Sequence, residues 1–196
     1  MLTQLSTIKA RLGIDEFDLY PDAILTNAIN AVSVRFDKET NRTLSRTANI
    51  TEEFEADDAE IIVPCYPIES VSKFETKTKE SEGWIEQTGI EFLVRRNCVI
   101  SVLSPISILN SSLGIGRVTY TGGYVMPGTT PGTGQTPLPA DLEQAAVEQV
   151  AAWFQTRDAL GLETIWPHAG TYEKFSQLPL LPSVQSVLQR YQRWLI

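Results

Sequence analysis

Two apolar stripes of helical period, separated by a long stretch that lacks that period, constrain this chain more than any other feature. Ile24, Leu25, Ala28, Ile29, Val32 and Phe36 recur on one face after Pro21. Leu142, Ala145, Ala146, Val150, Trp153 and Phe154 do the same after Pro139, out to about Asp158. From Arg46 to Tyr120 the pattern becomes one of short β-prone runs: 61–63, 71–76, 83–85, 91–94, 99–102 and 117–120. Stripes on both sides of such a stretch predict an α+β chain, with N- and C-terminal helices forming a helical bundle and a small antiparallel β section inserted between them.

The remaining elements follow from local signals. Leu5, Ile8 and Leu12 predict a short helix from Thr3 to Leu12 that Gly13 ends, with Asp15 to Tyr20 as an acidic turn before the longer helix. Residues 1–45 then read as a helical hairpin and 46–120 as the β insertion. Residues 121–138 are dominated by Gly, Pro and Thr and predict a long mobile loop. Residues 139–196 supply the closing helices. The last of these begins near Ser183, with Val184, Val187, Leu188, Tyr191 and Leu195 on one side.

Charge narrows the function. The chain carries 16 Lys+Arg against 24 Asp+Glu, a formal net charge of -8. Nucleic acid is gripped by a surplus of cations that displaces counterions, so a sequence-reading DNA binder is not expected. An acidic wall that DNA passes without adsorbing remains compatible with this balance. Two cysteines, Cys65 and Cys98, with no CxxC spacing, point to a reducing cytoplasm, and neither a disulfide framework nor a zinc site. The opening residues do not resemble a signal peptide, and no apolar run nears the ~18 residues of a membrane span. The expectation is a soluble, unprocessed chain with no membrane contact.

No residue set carries a chemical signature. His168, the one histidine, has no identifiable nucleophile or carboxylate partner and reads as a loop residue. Glu52, Glu53, Glu55, Asp57, Asp58 and Glu60 lack the glycine turn of a calcium loop and read as a solvated strand edge and turn. Neither Gly114–Gly116 nor Gly128–Gly134 precedes a Gly-Lys-Ser/Thr that would hold phosphate. Cys98 lies in a β-prone run and reads as a small buried apolar residue. Trp84, Trp153 and Trp166 are ordinary in number for core packing, whereas Trp194 stands where chains usually fray. No catalytic, cofactor-binding or metal-binding residue is assigned, and no cofactor is expected.

The last helix is the candidate for partner contact. A segment near ~12 to 15 residues long is marginal as an isolated helix and must pack on something. Arg190 and Arg193 are its charged side chains, in an otherwise acidic protein. Leu188, Arg190, Tyr191, Arg193, Trp194, Leu195 and Ile196 are accordingly expected to dock on a partner or an adjacent subunit rather than complete their own core.

Three stretches, considered in order, resemble the head-tail adaptor (connector) family of tailed bacteriophages and prophages. The first is Ser6–Ile14 followed by Ala23–Asp37 and Thr40–Arg42, similar to that family's leader helix, acidic turn, long helix and Gly/Asn-Arg pattern. The second is Val118-Thr-Tyr-Thr-Gly-Gly-Tyr124, and the third is Leu138–Val147 with Arg157 closing the helix. The chain departs from the family in residues 125–137, a longer connection than usual. What the resemblance implies is a non-enzymatic virion protein of the neck, assembled in the host cytoplasm. Its subunits would form a dodecameric ring beneath the portal protein, with a stopper, neck or tail protein on the far side and DNA passing through the lumen. The carboxyl-terminal segment would reach the portal. Two rival readings are a monomeric sugar- or peptide-binding module, using Trp84, Tyr120 and Tyr124 as an aromatic platform, and a hydrolase with a carboxylate pair.

Overall fold

A computed structural model describes residues 1–55, 60–103, 114–157 and 179–193. The described elements run α1 (Leu5–Leu12), α2 (Asp22–Thr40), β1 (Thr47–Glu55), β2 (Glu60–Ile62), β3 (Ile68–Lys77), β4 (Ile85–Glu86), β5 (Phe92–Arg95), β6 (Val99–Val102), β7 (Ile115–Gly122), α3 (Ala140–Gln155) and α4 (Pro182–Tyr191). The chain is α+β, with four helices and antiparallel sheets among the described residues. It divides into two compact units: Met1–Thr40 with Leu138–Ile196, and Asn41–Pro137.

In the helical unit the local signals act as their chemistry requires. Gly13 caps α1 in the left-handed region (φ 68°), and its N–H donates to the carbonyl of Ala10. Pro21 precedes α2 and Pro139 precedes α3, each where a missing N–H costs no helical bond. Leu25, Ile29, Val32 and Phe36 are buried, as are Leu142, Ala145, Ala146 and Val150. Ile24 leaves the predicted stripe and is exposed: successive helical positions are ~100° apart, so only one of Ile24 and Leu25 can point fully inward. Gln149, fully buried, replaces lost water by accepting from the Leu181 N–H (2.9 Å) and donating to the Pro179 carbonyl (3.4 Å). Those two bonds fix the approach to α4.

The helices do not form the bundle with an inserted β section that the stripes predict. A bundle needs helices of matched length along a shared seam. Here α1 has 8 residues and α4 has 10, against 19 in α2 and 16 in α3, so the short helices can cover only part of the long ones.

The β unit also differs from the single small antiparallel section expected. It contains a four-stranded sheet of order β1-β7-β3-β4 and a three-stranded sheet of order β2-β6-β5. Ile61 and Ile100 from the smaller sheet join Phe74, Val118 and Tyr120 from the larger one, with Val63 and Cys65, in a single apolar core. β1, absent from the β-prone runs because of its acids, pairs along β7 with Phe54 opposite Gly116. A side chain on Gly116 would place its Cβ within 2.3 Å of the Phe54 ring.

The Gly/Pro/Thr segment, 121–138, is not uniformly a loop. β7 extends through Gly122, while Tyr124 and Val125 are buried. Tyr124 donates to the Leu44 carbonyl and accepts from the Arg46 N–H, and Val125 donates to the Thr136 carbonyl, each at 2.8 Å. Composition missed this because the contacts come from residues some 80 positions away in sequence, around Leu44 and Arg46. Gly122 is required here: an added Cβ would lie 2.4 Å from the Cys65 backbone oxygen, which cannot swing aside. Replacing it, Gly122→Ala, is expected to lower unfolding free energy by about 1–3 kcal/mol, read from the urea midpoint of the full chain.

Candidate functional site

The candidate contact residues divide into two groups in the structure. Leu188 and Val184 are buried in the helical unit, against the expectation that this helix docks elsewhere instead of completing its own core. The reason is geometric: their i, i+4 stripe meets α3 and α2. Tyr191 is half-buried and its hydroxyl donates to the Asp141 carboxylate at 2.7 Å. The Arg193 N–H donates to the Thr40 carbonyl at 2.8 Å. Arg190 is exposed. Trp194, Leu195 and Ile196 lie outside the described residues, as do His168, Trp166, Asp57 and Asp58.

The aromatic platform of the sugar-binding reading is overturned. Tyr120 is fully buried, and its hydroxyl accepts from the Cys65 N–H at 3.2 Å. Tyr124 is also buried, and the Arg117 guanidinium stands 4.2 Å from the Trp84 ring centroid. A ring face already covered by a cation offers no stacking surface. Cys98 is half-buried in the turn between β5 and β6 rather than inside a strand. Arg96 and Asn97, both at positive φ (51° and 58°), make the tight two-residue turn that puts it there. Among the described residues no group of three or more His, Cys, Asp or Glu side chains is gathered as a metal would need. No helix among them is long and apolar enough to cross a membrane.

Arg42, in the Thr40-Asn-Arg segment, carries no site signature in the sequence but organises its surroundings. It is 5% exposed, its guanidinium lies 3.4 Å from the Tyr66 ring centroid and 5.3 Å from that of Tyr124, and it donates to the Tyr66 carbonyl. A flat, weakly hydrated guanidinium tolerates such stacking where an ammonium would not. Burial raises the Tyr66 phenol above its ordinary range, and the Arg42 charge opposes that rise.

The acidic turn between α1 and α2 is a surface that sequence reasoning missed altogether. Phe17 (88%), Leu19 (73%) and Tyr20 (88%) are exposed there. The Asp15 carboxylate accepts from the Phe17 N–H at 2.9 Å, and that of Asp18 from the Tyr20 N–H at 3.1 Å. Lys9, 4% exposed on α1, closes the turn from beneath: its ammonium donates to the Glu16 carbonyl at 2.9 Å and pairs with Asp22 at 2.7 Å. The sequence signal that could have found it is apolar residues alternating with acids in a segment that fits no helical period.

No protein-family model matches the chain, and no curated protein matches it. Among solved structures it is similar to a chain in the neck of an empty gene transfer agent (GTA) particle, with TM-score 0.57 and 14% identity, covering 97% of this chain and 89% of that one. It is similar also to a chain in the virion of the native particle, with TM-score 0.57 and 16% identity, over 97% of this chain and 89% of that one. The chain shares their fold.

That likeness spans both units, and the three sequence stretches of the resemblance fall on defined elements. Ser6–Ile14 covers most of α1, Ala23–Asp37 most of α2, Val118–Tyr124 the end of β7, and Leu138–Val147 the first half of α3. Glu75, which pairs with the Arg117 that covers Trp84, is buried. The Lys73 ammonium at 2.8 Å and the Arg117 guanidinium at 2.7 Å hold its carboxyl below the ordinary carboxylate range. A carboxyl with a lower folded than unfolded pKa stabilises fully above the unfolded value, and this contribution disappears as pH falls through the folded one. Glu75→Gln is therefore expected to lower the urea midpoint at neutral pH, with the gap to wild type narrowing as pH falls to about 3. A constant gap across that range would contradict the ion-pair account.

Proposed function

We propose that this protein is a structural subunit of the head-tail neck of a tailed phage or phage-derived particle, forming a ring through which DNA passes. The observation that carries the reading is the fold, shared along 97% of the chain with a chain from a particle neck. The sequence resemblance to head-tail adaptors supports it independently. An acidic chain suits a passage that DNA must traverse without sticking, because fixed negative charge opposes counterion-releasing adsorption. The protein acts by contact and carries no catalytic role in this reading. Its ring, dodecameric as the resemblance implies, sits between the portal and the stopper or tail protein.

Within that role, Tyr191, Arg193 and the residues Trp194, Leu195 and Ile196 are proposed to meet the portal, with Arg190 presenting its charge beside them. The buried side of α4, Val184 and Leu188, anchors this segment to its own subunit. Removing residues 194–196 is expected to leave a folded protein with a near-wild-type melting temperature that no longer co-purifies with portal. Retained portal binding would reject the docking role.

Particles made without this protein are expected to be DNA-containing heads that lack tails, and a tagged copy should appear as a ring at the neck by electron microscopy. Normal tailed particles in its absence, or a tag missing from the particle, would reject the function itself.

A further inference from the structure

We propose that the Asp15–Tyr20 turn of one copy seats on the outer face of α2, Asn30 to Glu39, of a second copy. This rests on the ring reading above and names the surfaces that join neighbours.

The turn is a built feature. Three large apolar side chains stand 73–88% exposed on a backbone held by two Asp side chains and by the buried Lys9 ammonium. An ordered turn loses little further entropy when it binds, which is what a preformed contact requires. Phe17 and Tyr20 bring roughly 150–250 Å² each. With Leu19 they supply about half of the ~800 Å² per partner in a standard interface.

The receiving face is equally distinct. Ala23, Asn27, Ala31 and Val34 are exposed along one side of α2, a largely uncharged outer surface for a helix in an acidic protein. Its second half carries an open groove of about 630 Å³ between Asn30, Ala31, Val34, Arg35, Lys38 and Glu39. Val34, 56% exposed, lines it together with Arg35 and Lys38. The turn carries Asp15, Glu16 and Asp18 around its apolar residues, so the Lys38 ammonium faces carboxylates when the apolar surfaces meet, while Arg35 is paired with Glu39 on its own helix at 3.6 Å.

The chain's own turn cannot reach this face, which leaves it open to the turn of another copy. Val34 lies twelve residues into α2 from Asp22, about 18 Å along the axis at 1.5 Å per residue. The turn is tied by Lys9 to the opposite end of that helix, too far to fold onto its own groove. Two different patches that complement each other make a heterologous contact, the kind that closes into a ring.

Cross-linking tests this. In a Cys98→Ser background, full-length chains carrying both Phe17→Cys and Val34→Cys are oxidised with diamide, as purified protein and within particles. A ladder of covalent oligomers is expected, with monomers from either single variant and mixed dimers when the two single variants are combined. Separately, Lys38→Glu should reduce assembly roughly tenfold, and Glu16→Lys added to it should restore assembly, since the Glu16 side chain is exposed and only its carbonyl holds the turn; unchanged melting temperatures would show that these sites leave folding intact. Wild-type rings with no ladder, or cross-linking by Phe17→Cys alone, would overturn this contact and leave the neck function standing. Cross-linking of the turn only to a different neck protein would overturn it likewise. Wild-type protein that forms no ring alone or on particles would overturn the ring reading and this contact together.

Discussion

The β unit depends on a strand that has no free edge. β7 is paired along its length by β1 on one side and by β3 on the other. Its residues alternate, so Gly116, Val118 and Tyr120 face inward together. Val118 and Tyr120 fill the shared core of both sheets, and the Tyr120 hydroxyl supplies the acceptor that the buried Cys65 N–H would otherwise lack. A buried donor without a partner costs on the order of 1–3 kcal/mol. The glycines are steric conditions for the same pairing: Gly116 admits the Phe54 ring and Gly122 admits the Cys65 carbonyl. Register, core and close approach are thereby fixed together.

In the helical unit a comparable demand falls on Lys9. An ammonium that is 4% exposed must be paired, and Asp22 with the Glu16 carbonyl meets that need. The consequence is an ordered turn with its apolar side chains outward. Phe17, Leu19 and Tyr20 could have been drawn into a core by a floppy connection, but this one is pinned at both ends. α4 shows the opposite arrangement: its apolar stripe is used internally, at Val184 and Leu188.

The alternation of helical and β-prone segments, the capping glycine at Gly13, the prolines at Pro21 and Pro139, and most strand positions were legible in the sequence because each depends on neighbours within a turn or two. What the sequence left open was decided by contacts between residues far apart along the chain. Glu-rich β1 is a strand because β7 offers it a ladder, not because its residues prefer one. Thr121 to Val125 are ordered because Leu44, Arg46 and Pro67 lie beside them. Tyr120 and Tyr124 look like a binding platform by composition, and only packing turns them inward. Phe17 and Tyr20 look like turn residues, and only the buried Lys9 makes that turn a fixed surface. Local preference is a property of a few consecutive residues, whereas burial and exposure belong to the whole arrangement.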